Sequence, residues 1–403
     1  MIATSALAVL HIWAAVHLLD SFQLVGAANS NDTLAADLRT ILEDHFSDCR
    51  NHEVVPKNKN NTIKYIAEAF TGYGLEVELH KFTVQGYAAE KYVGTNVIGI
   101  LNGERRGTAN DNVFVVGAHF DTVATSPGVD DNGSGMAALI EAVKLVTSEV
   151  CLFNNTVVFV AFDLSEDQVD GSDNRIGSAA FVSEWLVRFL DVKGANSTFG
   201  GAVILESLMN YDSEENSQTL PAGAFFLLRD FSQRLQARKK RGDFIAVVGR
   251  EADADLISGF SEQWDQLETN HFMYEPIILS SSALTGHSPL GAAFEGDHES
   301  FWQRNNLRAI LLTDTGGLRN AKGCYHKQCD DVNSITEEKL AFLAKTTRSV
   351  ANMIKEFGKV LEWECSQAAT GHLVSGASGP RPTWLTQASF GILSAILMTL
   401  YGR

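Results

Sequence analysis

The fold is indicated by the stretch Val115-Val116-Gly117-Ala118-His119-Phe120-Asp121, which is followed after a short turn by Gly128-Val129-Asp130-Asp131-Asn132-Gly133-Ser134-Gly135. The apolar run 113–118 predicts a buried strand. Such a strand places His119 and Asp121 at its carboxyl end, where open α/β sheets bind their ligands. After the turn, apolar spacing over 136–146 predicts a helix capped by Ser134.

The adjacent Asp130 and Asp131 allow two interpretations. Aspartate favours turns, so both residues could be turn formers and His119 a satisfied core histidine. Together, however, an imidazole and a carboxylate can bind a divalent cation, with Asp121 holding the other imidazole nitrogen to fix its tautomer. The combined pattern favours a metal site over two separate structural roles.

The strings at 117–121 and 127–135 resemble the core motif of metallopeptidase family twenty-eight. These co-catalytic zinc exopeptidases include leucyl aminopeptidases, aminopeptidase Y, glutamate carboxypeptidases and glutaminyl cyclases. The resemblance implies that His119 and Asp131 bind zinc and that Asp131 bridges two zinc ions. It also implies that Asp121 lies behind His119.

The length of 403 residues and a hydrophobic content of 45% predict one large α/β domain, over residues 34–365. Its central sheet is expected to be largely parallel, with helices on both faces, as in zinc exopeptidases. The net charge of −17 argues against a nucleic-acid partner. Predicted strands are 76–84, 93–101, 113–118, 156–162, 201–205 and 309–312; predicted helices are 34–46, 62–70, 136–146 and 337–357. No element is assigned to 239–260.

Residues 1–28 form an apolar segment that ends in small residues, which predicts a secretory signal peptide. The mature protein is therefore expected in the secretory pathway, at the extracellular face of the cell membrane or secreted. Glycosylation sequons agree with that route, although Asn132 lies in the metal turn and is expected to stay unmodified. The sequons are Asn31, Asn60, Asn132, Asn154 and Asn196.

The carboxyl end has the order of a lipid-anchor signal. Small residues at 375–379 lie in a linker and attachment region, 366–387, and an apolar tail follows at 388–401. A tail of this length is shorter than the roughly 20 residues of a membrane-spanning helix. A glycosylphosphatidylinositol anchor is favoured over a short span, and the oligomeric state is not indicated.

The strand at 156–162 leads into Asp163-Leu164-Ser165-Glu166-Asp167. In the family this place reads F-D-x-E-E, where the first Glu is the general base and the second a zinc ligand. Without a gap, the ligand is Glu166 and the base position holds Ser165. A serine hydroxyl cannot act as a base near neutral pH, so this departure puts catalysis in doubt.

A shifted register gives a second interpretation of the same segment. Glu166 then becomes the base and Asp167 the ligand. Side chains alternate faces along a strand, so the shift requires a bulge that redirects both groups. Both registers remain open from the sequence.

Two further segments supply the remaining ligands implied by the resemblance. Glu206 follows the strand at 201–205, where the family usually has an Asp that binds the same zinc ion as His119. The alternative interpretation is that Glu206 is a solvated surface residue. The segment 324–330 resembles the family's Y-H-x-x-x-D, so His326 completes the other zinc site and Asp330 is expected to orient it. The segment 296–301 resembles S-D-H-x-x-F/W, which lies near the site.

The five cysteines leave at least one free thiol in an oxidising compartment. Cys324 and Cys329 flank the histidine closely enough to be bridged, which would stiffen the loop that carries it. The other cysteines, Cys49, Cys151 and Cys365, have no assigned partners.

The sequence therefore predicts a cell-surface zinc exopeptidase that acts on peptides. His119 and Glu206 would hold one ion, Glu166 and His326 the other, and Asp131 both. The rival class is a weak or inactive homologue that serves as a binding ectodomain, and Ser165 is the feature that separates the two. A glutaminyl cyclase is a lesser option because cyclases use one zinc. The sequence indicates neither which end of a peptide is cleaved nor which substrate side chain is preferred. The substrate pocket is expected to be built from loops such as 272–289.

Overall fold

The computed structural model describes most of the chain up to residue 367. The described residues are 33–85, 91–150, 152–166, 175–191, 194, 196–220, 223–267, 271–280, 294–304, 306–319, 323–361 and 366–367. The predicted signal peptide and hydrophobic tail lie outside this set. Among the described helices, none combines the length and the apolar character needed to cross a bilayer.

An eight-stranded mixed sheet forms the centre of a single α/β domain. The strands are β1 (Glu76–Gln85), β2 (Lys91–Leu101), β3 (Asn112–His119), β4 (Val157–Phe162), β5 (Thr198–Glu206), β6 (Phe244–Arg250), β7 (Met273–Leu279) and β8 (Ala309–Thr313). Their order is β1-β2-β4-β3-β5-β8-β6-β7. The four central strands β4, β3, β5 and β8 are parallel to one another, as predicted. The outer pairings β1 with β2, β2 with β4, and β6 with β8 are antiparallel.

Helices cover both faces of this sheet, which confirms the predicted layers. They are α1 (33–45), α2 (Pro56–Gly72), α3 (Gly135–Thr147), α4 (Ile176–Ala180, continued through Phe181–Leu186 and Val187–Leu190), α5 (Arg229–Ala237), α6 (Ala254–Asp265), α7 (His298–Gln303) and α8 (Glu337–Phe357). Helices α1, α2, α3, α6 and α8 pack on one face, and α4, α5 and α7 pack on the other. Successive strand residues point to opposite faces, so Val116 lies in the first core and Val115 in the second.

Helix α8 matches its predicted bounds because its ends are well marked. Thr336 accepts a hydrogen bond from the backbone amide of Lys339, and Glu337 and Glu338 lie in the first turn, near the positive end of the helix dipole. At α3, by contrast, the predicted cap is wrong. Ser134 has helical backbone angles and makes no side-chain capping bond, because a π-helical turn at Val129–Ser134 leads directly into the helix.

The region 239–260, to which the sequence analysis assigns no helix or strand, contains β6 and the start of α6. The expectation that 272–289 is a pocket loop is wrong for 273–279, which form the edge strand β7. A proline within a run usually argues against a strand. Pro276 is tolerated here because, among the described strands, β7 pairs only with β6 and lies at the edge of the sheet. Most of the remaining loop lies outside the described residues.

Candidate metal centre

The candidate site lies where four parallel strands end together. The neighbours β4, β3, β5 and β8 run in the same direction, so their carboxyl ends meet at one edge of the sheet. His119 is the last residue of β3, and Glu206 is the last residue of β5. The segment that carries Ser165 and Glu166 follows β4 directly. Sheet topology alone therefore brings these side chains to a common crevice.

Four of the five predicted metal ligands converge. The Nε2 atom of His119 lies 3.6 Å from Oδ1 of Asp131 and 3.7 Å from Oε1 of Glu166. The Nε2 atom of His326 lies 3.1 Å from Oδ2 of Asp131 and 3.2 Å from Oε2 of Glu166. Each carboxylate thus presents one oxygen to each histidine. One ligand atom from each of His119, Asp131 and Glu166 lies within 4.8 Å of the others.

The orientation of His119 is set by Asp121, as predicted, but mainly through the main chain. The Nδ1 atom of His119 lies 3.2 Å from the backbone carbonyl oxygen of Asp121 and 3.5 Å from its carboxylate. The carboxylate accepts hydrogen bonds from the backbone amides of Ser165 and Glu166. Asp121 therefore directs Nε2 of the imidazole into the site and also holds the segment after β4 against it.

The loop that carries Asp131 is held by Asp330, which corrects the role expected for that residue. The Asp330 carboxylate accepts hydrogen bonds from the backbone amides of Asp130 and Asp131, at 2.8 Å and 3.1 Å. Asp330 therefore positions the Asp131 loop through the backbone amides, although it was expected to orient His326. The side chain of Asn132 is fully buried and donates to the carbonyl of Leu205, which agrees with its expected lack of glycosylation.

Arg50 is a site-supporting residue that the sequence did not reveal. Its buried guanidinium donates to the backbone carbonyls of Phe46, Asp48, Phe120, Pro127 and Gly128. The last three carbonyls belong to the segment that joins His119 to Asp131. Burial lowers the pKa of Arg50 to about 10, so the side chain stays charged at neutral pH. The partners of Arg50 are backbone carbonyls, which do not depend on side-chain identity. The sequence pattern therefore gives no signal that points to this residue.

Glu206 lines the same cavity but forms no ion pair within 4.0 Å with either His119 or His326. Burial raises its pKa well above the usual value; the charge on His119 opposes the rise, and the negative charges of Asp131, Asp297 and Glu166 reinforce it. A carboxyl group in this environment ionises readily only beside a cation.

Ser165 faces a carboxylate at the edge of the cavity. Its Oγ atom donates to Asp297, with both carboxylate oxygens at 3.0 Å. Leu164 has a φ of 57°, in the left-handed region, so the strand alternation ends there and Ser165 and Glu166 diverge. The carboxylate of Glu166 reaches both histidines, as the gapless register requires. Asp167, the ligand of the shifted register, lies outside the described residues.

The donor set fits a divalent cation. Neither Oδ1 of Asp131 nor Nε2 of His326 makes a hydrogen bond of good geometry with a described residue, although both atoms are buried. Burial alone would lower the pKa of His326, but the carboxylates of Asp131 and Glu166 raise it to about 10. Two imidazole nitrogens facing carboxylate oxygens are the ligands that zinc takes in proteins.

The cavity beside this cluster has a volume of about 280 Å³. Its polar walls include Arg175, Glu295 and Thr313, and its apolar walls include Phe294, Leu311 and Leu318. The ring of Tyr325 packs on the backbone of Gly316 and Gly317 and stacks on His326. The cavity therefore has both ionic and apolar walls.

A disulfide joins Cys324 to Cys329, as predicted, and closes the loop that carries His326. Cys49 is a free thiol whose sulfur lies 3.4 Å from the hydroxyl oxygen of Thr122. Cys151 and Cys365 lie outside the described residues.

An α/β sheet with two histidines and two carboxylates gathered near its central carboxyl edge is the architecture of zinc exopeptidase-like proteins. A Zn-dependent exopeptidase from Parabacteroides distasonis has a similar fold, with a TM-score of 0.52 at 15% identity over 80% of this chain and 97% of that chain. The profile of Peptidase family M28 matches residues 96–240, a range that includes four of the five predicted ligands.

Among the relatives that are similar in sequence, two match over most of this chain. The uncharacterised protein YfbL of Escherichia coli K12 is 28% identical over 292 residues, which cover 70% of this chain and 77% of YfbL. An aminopeptidase of Pseudomonas aeruginosa is 36% identical over 275 residues, which cover 68% of this chain. This chain spans only 44% of the length of that aminopeptidase. The chain belongs to peptidase family M28.

Proposed function

We propose that the protein is a di-zinc aminopeptidase that hydrolyses the amino-terminal peptide bond of its substrates. The convergence of His119, Asp131, Glu166 and His326 is the observation that carries the proposal. In this proposal His119 and Glu206 hold one zinc, Glu166 and His326 hold the other, and Asp131 bridges them. Bound zinc would lower the pKa of the attacking water and polarise the scissile carbonyl.

Cleavage from the amino end is supported by the charge of the cavity. Apart from the proposed zinc ligands, whose charge the metal would offset, the carboxylates of Glu295 and Asp297 line it. The basic residue Arg175 also lines it, but its guanidinium lies 3.2 Å from Glu299 and 3.8 Å from Glu295, so its charge is shared with two carboxylates. An excess of negative charge attracts the α-ammonium group of a peptide and repels its α-carboxylate.

The strength of catalysis depends on Ser165. In the gapless register this residue replaces the general base, and removal of a general base commonly costs about 10² to 10⁴ in rate. A binding ectodomain without useful catalysis is the second candidate function, and the serine at the general-base position is the observation that favours it.

The test combines metal analysis with hydrolysis of a panel of amino-acid amides and dipeptides. We expect close to two zinc ions per chain and measurable release of amino-terminal residues. Ser165→Glu should raise kcat about 10²-fold or more. Two zinc ions with an unchanged rate for Ser165→Glu would refute the gapless register. Two zinc ions with no cleavage by either protein would support the binding ectodomain.

We also propose that the domain at 34–365 is displayed outside the cell. The support is the apolar segment 1–28 and the small-residue, spacer and tail order from 366 onward. Treatment of intact cells with a phosphatidylinositol-specific phospholipase should release the protein. Retention on the membrane would favour the short span.

A further inference from the structure

The contact between Ser165 and Asp297 joins two buried side chains at the wall of the cavity. Ser165 is 7% exposed and Asp297 is 1% exposed. Both oxygens of the carboxylate lie 3.0 Å from Oγ of Ser165. A hydrogen bond from a hydroxyl to a buried carboxylate is stronger than a bond between neutral groups, so this contact fixes the hydroxyl rotor.

The backbone of Ser165 is fixed as firmly as its side chain. Its amide donates to Oδ1 of Asp121, the residue that also orients His119. The left-handed conformation of Leu164 directs the next residue away from the strand axis. Ser165 is therefore held from two sides, by Asp121 at the amide and by Asp297 at the hydroxyl.

Asp297 does not cap the helix that it precedes. It is the residue that precedes α7, a place where aspartate commonly caps a helix. Here its backbone angles are helical, and its side chain makes no capping bond. The carboxylate is directed instead at Ser165, with the hydroxyl of Ser178 as a second polar neighbour.

A serine hydroxyl has one proton and two lone pairs. Because the proton of Ser165 is donated to Asp297, the lone pairs remain for whatever lies in the cavity, which Ser165 lines next to Glu166. Without Asp297 the hydroxyl could rotate and present its proton to the cavity. Asp297 thus determines that Ser165 accepts a hydrogen bond there and does not donate one.

We infer that Asp297 is a positioning residue that holds Ser165 as the hydrogen-bond acceptor for the attacking water. This inference rests on the proposed peptidase function. A general base both orients the attacking water and accepts its proton, and Ser165 held by Asp297 supplies only the orientation. The hydroxyl oxygen of Ser165 accepts one O–H bond of the water and so directs that bond away from the substrate. No proton is transferred to Ser165 in this role.

The experiment uses the full zinc-loaded ectodomain and the variants Ser165→Ala, Asp297→Asn and the double variant. Each single variant should lower kcat roughly tenfold with little change in KM, because an orienting interaction matters most in the transition state. The double variant should lose no more than either single variant, since Asp297 acts only through Ser165. Zinc content should stay at the unsubstituted value in all three.

Asp111→Asn provides a matched control. Asp111 is also a buried aspartate that accepts a hydroxyl bond, from Thr156 at 2.8 Å, but it precedes β3 at the opposite edge of the sheet. This variant should lower the urea midpoint of the metal-free protein and leave kcat unchanged. The Ser165 and Asp297 variants should also lower that midpoint, again with no further loss in the double variant.

Additive losses of kcat or of the urea midpoint would overturn the inference, because the two residues would then act independently. A loss of kcat with Asp297→Asn but not with Ser165→Ala would overturn it too. If the unsubstituted protein binds two zinc ions and cleaves nothing, the proposed function and the water-orienting role fail together. Non-additive midpoints would then show that the hydrogen bond itself is real, which separates the two failures.

Discussion

The Nε2 atom of His326 lies 3.1 Å from Oδ2 of Asp131, although the two residues are on different loops and only Asp131 lies within the family-matched region. Glu166 lies on the other side of the same nitrogen, at 3.2 Å. In the metal-free protein these two carboxylates raise the pKa of the imidazole to about 10, so it is protonated at neutral pH. A cation that binds here must replace a proton.

Zinc affinity should consequently depend on pH. The pKa of His326 is raised to about 10, so the apparent affinity should increase from acid pH up to about pH 10. The increase should reach about tenfold per pH unit for this one proton. The same shift stabilises the metal-free fold fully below about pH 6.5, and the stabilisation is lost as pH rises through about 10. Chelator competition at several pH values measures the slope; His326→Gln should flatten it, and an unchanged slope would exclude this proton.

The bridging role of Asp131 predicts an unequal pattern of metal loss. Asp131→Asn should remove most of both zinc ions, whereas Glu206→Gln should leave about one, because only one ion uses that carboxylate. Metal analysis of dialysed protein measures the content. Asp331→Asn is the control, since Asp331 caps a short turn through the amide of Asn333. Equal losses from Asp131→Asn and Glu206→Gln would contradict the bridge.

Gly296 should be required for the Glu206 side of the site. A Cβ atom at this position would lie 2.5 Å from Oε2 of Glu206 and 3.1 Å from Nδ1 of the buried His298. Gly296→Ala should therefore displace Glu206 and lower the zinc content from two towards about one. Gly72→Ala is the control, because a Cβ there meets nothing within 4 Å. Full zinc content in Gly296→Ala would show that Glu206 is not a ligand.

Arg50 should be a major contributor to stability. Arg50→Met removes a buried guanidinium and leaves five backbone carbonyls without their donor. We expect a loss of at least about 3 kcal/mol in the free energy of unfolding of the metal-free protein. Arg39→Met, which removes only exposed ion pairs with Glu43 and Glu337, should change it by less than about 1 kcal/mol. Urea denaturation measures the free energy of unfolding of both variants. Equal losses in Arg50→Met and Arg39→Met would contradict the role of Arg50 in supporting the backbone of the site.

The central strands were predictable because parallel strands buried on both faces are continuous apolar runs. Every residue of β4 and β8 is buried, and both had been placed within one residue of their observed ends. The sheet's outer part was harder. Strand β7 alternates buried and exposed residues and contains Pro276, so its local signal is weak and its place depends on pairing with β6.

The residues of the site also differ in how far the sequence predicts them. The convergence of His119, Asp131, Glu166 and His326 could be predicted because each lies in a short motif and the sheet then brings the motifs together. Arg50 acts on main-chain carbonyls, and Ser165 meets a partner 132 residues away. Contacts of this kind depend on the packing of whole elements, and short-range spacing does not encode them.

The proposed metal ligands come from both early and late parts of the polypeptide. His119 and Asp131 are made together, but the disulfide-closed loop with His326 is synthesised only shortly before the final long helix. A nascent or truncated chain that stops before this loop can hold a cation with only part of the cluster. With the proposed ligand set, firm metal retention would therefore require that synthesis and folding of the domain have been completed.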